Sequence, residues 1–97
     1  VCHGYCGLLN VRLSDGSLLI ADRAMTGFSW REEQLAGVHK LVPYNAEEQA
    51  KERGARYEKA KLPFVSYAVI DGNLVTGQNP GSAKETAEKV AALLGAR

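Results

Sequence analysis

The stretch that most narrows the fold is Phe64-Val65-Ser66-Tyr67-Ala68-Val69-Ile70, closed by Asp71-Gly72-Asn73 and answered by Leu74-Val75-Thr76. β-Branched and aromatic residues crowd its first arm, and Asp-Gly-Asn supplies a tight turn, so the spacing predicts two paired strands. Shortly after, Ser82-Ala83-Lys84-Glu85 has the form of a capping box, and Ala83, Ala87, Val90, Ala91 and Leu94 recur at helical spacing until Gly95. That pattern predicts an amphipathic helix docked on the strands.

The rest of the chain alternates in the same way. After the Asp15-Gly16 turn, residues 17–21 (SLLIA) read as a strand, and residues 24–28 as a second short one. Ser29 is placed as the N-cap of a helix over 30–36 that Gly37 stops. Asn45-Ala46-Glu47-Glu48 predicts a capped helix over 46–53 ending at Gly54, followed by a short exposed strand over 55–60. Strands interleaved with helices imply an α/β layer fold without repeats or low-complexity linkers. The order of the strands is not legible.

A chain of 97 residues makes one domain, one that hides roughly 60–65% of its unfolded surface. Its 12 Lys+Arg and 11 Asp+Glu nearly cancel and are spread along the chain, which argues against nucleic acid or an anionic membrane as partner. No apolar run reaches the roughly 18 residues of a membrane span, and no signal-peptide pattern is present, so a cytoplasmic protein is the expectation. The two cysteines, Cys2 and Cys6, lie too close together to staple a domain and read as reduced, reactive or metal-binding.

The chemistry concentrates in Val1-Cys2-His3-Gly4-Tyr5-Cys6-Gly7. A cysteine flanked by glycine just before a helix can sit on a sharp turn where helix amides stabilise its thiolate, and an adjacent histidine can carry the proton. A carboxylate is then needed to orient the imidazole. The same residues also read as a small buried hydrophobe beside a surface histidine at a terminus. A third reading makes Cys2, His3 and Cys6, with distant His39, zinc ligands, although adjacent ligands are not the paired C-x2-4-C arrangement. Cys6 reads as a packing residue or as a resolving thiol for oxidised Cys2.

Taken together, "VCHGYCGLLN", "IADRAMTGFSWREEQLAG", "VPYNAEEQAKERGARYEKA" and "VIDGNLVTGQNPGSAKETAEKVAALL" resemble the C-terminal half of the ThiJ/PfpI superfamily, over nearly the whole chain. The similarity is to the branch of heat-shock chaperones, glyoxalase III enzymes and class I glutamine amidotransferase-like proteins. The resemblance implies a flavodoxin-like α/β sandwich, of which residues 1–97 would be the C-terminal part, starting at the nucleophile elbow. It implies Cys2 as nucleophile, His3 as general acid/base and Glu33 as the acid that holds the histidine, with Glu32 as the alternative. It places Gly4, Tyr5 and Trp30 about the substrate pocket. Tyr5 and Cys6 stand where relatives carry proline and a small residue, and Trp30 is a large apolar neighbour of the presumed acid.

The resemblance further implies a cofactor-free enzyme acting on a small carbonyl substrate, as in the glyoxalase III conversion of 2-oxoaldehydes to 2-hydroxy acids, with no metal. A related enzyme working on a natural-product intermediate, and a holdase or oxidative-stress sensor without turnover, are the competing expectations. A glutaminase is disfavoured, since His39 is followed by Lys40-Leu41 rather than completing His-x-Glu. The N-terminal half of the family's domain is not in this sequence, so a companion N-terminal chain is expected, together with a homo-oligomer. Gln78 and Asn79 are expected to close a turn by bonding to backbone, and Tyr44 and Tyr67 to pack.

Overall fold

Two parallel strands need a crossover between them, and residues 24–57 supply one in the computed structural model, which describes residues 1–95. Strand β1 (Ala24–Met25) leads into helix α1 (Trp30–Leu35) and helix α2 (Ala46–Glu52), then strand β2 (Arg56–Tyr57) returns beside β1 with Ala24 opposite Arg56 and Met25 opposite Tyr57. The helix starts follow the predicted caps. Ser29 Oγ accepts from the Glu32 amide while the Glu32 side chain accepts from the Ser29 amide, and Asn45 accepts from the Glu48 amide. Gly37 (φ 76°) and Gly54 (φ 88°) follow these helices in the left-handed region that glycine enters without penalty.

Strands β3 (Ala68–Asp71) and β4 (Leu74–Gly77) form the antiparallel hairpin, with Gly72 in its turn at φ 61°. Side chains rather than a ladder join this hairpin to β1. The Ala24 amide donates to the Asp71 carboxylate (2.7 Å) and the Thr26 amide to Thr76 Oγ1 (2.9 Å), so the second edge of β1 is satisfied by the hairpin. Helix α3 (Ala83–Leu93) then packs along β4. Its closest approach is at Gly77, where an added Cβ would collide with Thr86 Oγ1.

Several expectations fail, and around the hairpin the cause is competition from partners distant in sequence. Residues 17–21 form no strand: only the bridge between Arg12 and Leu18 survives before the chain curls through turns that bury Ile20 completely. Of residues 24–28 and 55–60, only two-residue strands pair. The first arm of the hairpin begins at Ala68 rather than Phe64, because the backbone of the preceding residues is occupied by side chains. The Phe64 amide donates to Glu32 (2.8 Å), the Val65 carbonyl accepts from Asn79 (2.8 Å) and the Tyr67 amide donates to Ser82 Oγ (3.0 Å).

Ser82 consequently does not cap α3. Its hydroxyl donates to Asn79 Oδ1 (2.9 Å), and Glu85 instead accepts from Ser66 (2.8 Å). The reciprocal cap falls one turn earlier, between Asn79 and Ser82 around the 3₁₀ turn Pro80–Ser82. Helix α3 is also less docked than its pattern suggests, with Val90, Leu93 and Leu94 exposed. The apolar core lies elsewhere: Tyr5, Leu9, Ile20, Met25, Phe28, Ala46 and Ala50 cluster between the opening turns, β1 and α2. Among the described residues no helix is long and apolar enough to cross a membrane.

Candidate active site

The opening residues form a 3₁₀ helix over Cys2–Leu8 whose first residue is bent at φ 61°. A side-chain-bearing residue rarely adopts that conformation, and it persists only where its surroundings enforce it. Phe28 enforces it here. Its amide donates to the Cys2 carbonyl (3.1 Å), its carbonyl accepts from the buried Tyr5 hydroxyl (2.9 Å), and its ring lies 4.8 Å from the His3 ring. Tyr5 fits against the chain just after β1 only because residue 27 is glycine, since a Cβ there would collide with the Tyr5 ring.

On this elbow three side chains line up. Cys2 Sγ is 3.6 Å from His3 Nδ1, and His3 Nε2 is 2.8 Å from Glu33 Oε1. Glu33 is 2% exposed at the first turn of α1, whereas His3 is 47% exposed. A carboxylate at Nε2 places a proton on that nitrogen and leaves Nδ1 to accept from the thiol. Of the two adjacent glutamates, Glu33 therefore meets the histidine and Glu32 does not. The spacing Ser29-Trp30-Arg31-Glu32 is itself a capping box, and that signal separates the two in sequence, because it turns Glu32 toward the cap.

The electrostatics depart from the expected thiolate. Burial pushes the Cys2 thiol above its ordinary value, against the pull of the His3 amide, and the negative charges of Glu32 and Glu33 push it further. The elbow thus holds a protonated thiol next to an imidazole nitrogen, an arrangement for proton transfer at the moment of attack. A depression of about 220 Å³ opens beside the pair, lined by His3, Cys6, Glu33, Pro43, Tyr44 and Ala46 among others. Cys2 itself does not line it.

The predicted pocket residues scatter. Tyr5 is 2% exposed with its hydroxyl consumed by Phe28, so it belongs to the core and not to a pocket wall. Trp30 borders a different depression with Arg31, Gln34, Glu47 and Lys51, where its amide donates to Glu47 and its ring meets His39 edge-on at 6.0 Å. Gly4 is exposed, with nothing within 4 Å of where a Cβ would stand. The wall of the depression falls instead to Cys6 and Tyr44. Among the described residues no His/Cys/Asp/Glu group is arranged to hold a metal, and His39 is engaged with Trp30 away from Cys2. Both cysteines are free thiols.

A strained cysteine elbow, an imidazole at the sulfur and a buried carboxylate behind it, set in an α/β frame, define the class: an α/β domain built around a candidate cysteine nucleophile. The chain belongs to the ThiJ/PfpI superfamily, whose domain it matches over a C-terminal portion. It is 37% identical over 94 residues to the glutathione-independent glyoxalase HSP31 of Saccharomyces cerevisiae, covering 90% of this chain and 39% of that protein. It is 35% identical over 97 residues to glyoxalase 3 of Candida albicans, covering 95% and 41%.

Among solved structures, the 24 kDa rapid encystment protein of Francisella tularensis superposes with a TM-score of 0.91 at 38% identity, over 96% of this chain and 41% of that one. Glyoxalase III of Candida albicans superposes with a TM-score of 0.87 at 34% identity, over 95% and 41%. The chain therefore spans about two fifths of the length of the relatives it matches. No family model matches it.

Proposed function

We propose that this chain carries the reacting residues of a cofactor-independent glyoxalase that converts 2-oxoaldehydes to 2-hydroxy acids. The observation that carries the reading is the continuous contact from Cys2 Sγ through His3 Nδ1 and Nε2 to Glu33 Oε1. It is supported by relatives named as a glutathione-independent glyoxalase and as glyoxalase 3.

In the proposed reaction the Cys2 sulfur bonds to the aldehyde carbon, and His3 takes the thiol proton and passes it to the former carbonyl oxygen, giving a hemithioacetal. His3 then removes the hydrogen of that carbon as a proton and returns a proton to the neighbouring carbonyl carbon, while the hydroxyl proton of the hemithioacetal moves to the neighbouring carbonyl oxygen. The result is a thioester of the 2-hydroxy acid. Water cleaves the thioester, releasing the acid and restoring the thiol. Glu33 keeps the imidazole oriented through its contact with Nε2. Because the thiol is held protonated, the proton transfer to His3 belongs to the addition step itself.

The remaining part of such a domain, supplied by a companion N-terminal segment, would complete the carbonyl-binding side, and the assembly is proposed to be a cytoplasmic homo-oligomer. The test is methylglyoxal consumption and lactate formation by the full-length protein. Cys2→Ala should lower the rate by about a thousandfold or more, the scale expected when a covalent nucleophile is removed. Consumption as fast as in the parent sinks the reading.

A further inference from the structure

Glu32 is fully buried, and among the described residues no Lys, Arg or His pairs with it. Five donors surround it. Oε1 accepts from the Ser29 amide (3.0 Å), the Ser29 hydroxyl (3.0 Å) and Gln78 Nε2 (2.9 Å), while Oε2 accepts from the Phe64 amide (2.8 Å) and Asn79 Nδ2 (2.9 Å). Burial works to raise its pKa, but the donors outweigh it and hold the carboxyl below its ordinary value, so it is an anion. A side chain with this many partners is far more than a helix cap requires.

What those partners have in common is location. Ser29 starts α1, Phe64 lies in the loop before the hairpin, and Gln78 and Asn79 follow directly on β4. Gln78 Oε1 also accepts from the Ala60 amide (2.9 Å), and Asn79 Nδ2 also donates to the Val65 carbonyl (2.8 Å), so both amides are themselves fixed from two sides. Helix α1 has only six residues, well short of the roughly 12–15 that a helix needs to persist by itself. Its first turn is therefore placed by what Glu32 grips. Adjacent helical residues point about 100° apart. Fixing Glu32 in its clamp fixes the direction of Glu33, which is the direction of His3.

We propose that Glu32 is a positioning residue for the Cys2–His3–Glu33 contact: by tying the first turn of α1 to Phe64, Gln78 and Asn79, it sets where Glu33 meets His3. As a statement about turnover this rests on the glyoxalase reading; as a statement about the His3–Glu33 geometry it does not. Glu32 hydrogen-bonds to neither Cys2 nor His3; apart from the charge it sets near the Cys2 thiol, it acts through the backbone that it shares with Glu33.

The test uses the full-length protein with ¹⁵N-labelled histidine, reading the His3 ring-nitrogen shifts alongside kcat and KM for methylglyoxal. Glu32→Gln keeps the shape but turns a donor toward donors. It should shift the His3 signals away from the single tautomer with the proton on Nε2 and lower kcat about 10- to 100-fold at nearly constant KM, as expected when a reacting group is misplaced. Adding Gln78→Glu reverses the bond between the two side chains and should restore part of both readouts. A lower melting temperature with His3 signals and kcat like those of the parent overturns the proposal, and so does a double variant no better than the single one. If the parent itself turns over no 2-oxoaldehyde, the functional reading falls and the His3 signals alone decide the positioning. If Glu32→Gln does not fold, Gln78→Met removes one donor of the five, and unmoved His3 signals in that variant overturn the claim.

Discussion

Cys2 combines a left-handed backbone, φ 61°, with a thiol 3.6 Å from an imidazole nitrogen. The local sequence announces both the residue and its neighbour, yet not the sign of the electrostatics. Helix amides argued for a thiolate; burial and two glutamates on α1 argue the other way and prevail. Iodoacetamide alkylation of Cys2, followed by mass spectrometry as a function of pH, should therefore show a midpoint above the ~8.5 of an ordinary thiol, and a midpoint below it refutes the electrostatic account. The stability consequence has the same sign. Above the ordinary thiol pKa the unfolded chain loses its Cys2 proton first, so this contribution to stability fades as pH rises through the alkaline range toward the folded value. The Glu33 assignment was legible only through the resemblance, although Ser29-x-x-Glu32 held the local signal that separates the two glutamates.

Between elements, small residues and buried side chains do what regular ladders do in larger sheets. The Gly27 contact with Tyr5 ties the opening 3₁₀ helix to the chain just after β1, and the Tyr5 hydroxyl needs the Phe28 carbonyl. Gly27→Ala should cost about 3 kcal/mol, at the upper end for forcing atoms into a packed interior, as a fall in the urea midpoint; a loss under 0.5 kcal/mol contradicts the packing described. Helices α1 and α2 meet through Glu47, which accepts from the Trp30 amide (3.0 Å) and pairs with Lys51 (2.8 Å) and Lys59 (3.3 Å). Burial works to raise the Glu47 pKa, but Lys51, the Trp30 amide and Lys59 outweigh it and leave it lowered. Its contribution is present above the unfolded carboxyl pKa and is lost as pH falls through the folded one. Melting temperatures taken between neutral and acid pH should fall less steeply for Glu47→Gln than for the parent below the ordinary carboxylate range. Identical slopes would remove Glu47 from the account.

The whole molecule measures 40 × 34 × 19 Å, a slab about two layers thick. So thin a body buries few large side chains, and a groove lined by Leu8, Leu74, Val75, Val90, Leu93 and Leu94 stays open along α3 and the hairpin. An open apolar surface of this kind drives association. The 97-residue chain studied by itself should bind a hydrophobic dye such as ANS and sediment as more than a monomer, and Leu93→Glu with Leu94→Glu should reduce both. Sedimentation unchanged by the pair of substitutions would free the groove of that role.

The sequence by itself determined the features set by residues no more than four apart: the caps at Ser29 and Asn45, the stops at Gly37 and Gly54, the hairpin turn at Gly72, and the juxtaposition of Cys2 and His3. Its pattern was also sufficient to place the chain in its family. Tertiary structure decided the rest. It shortened the strand at Phe64, took the Ser82 hydroxyl from its helix, moved Tyr5 from pocket to core, and chose Glu33 for His3 by committing Glu32 to a clamp. The physical reason is common to all four. A buried donor or acceptor must find a partner, and at each of these positions a partner 14 to 47 residues away in the chain takes part, beside nearby Asn79 in the case of the Ser82 hydroxyl, and no local pattern can register the distant one.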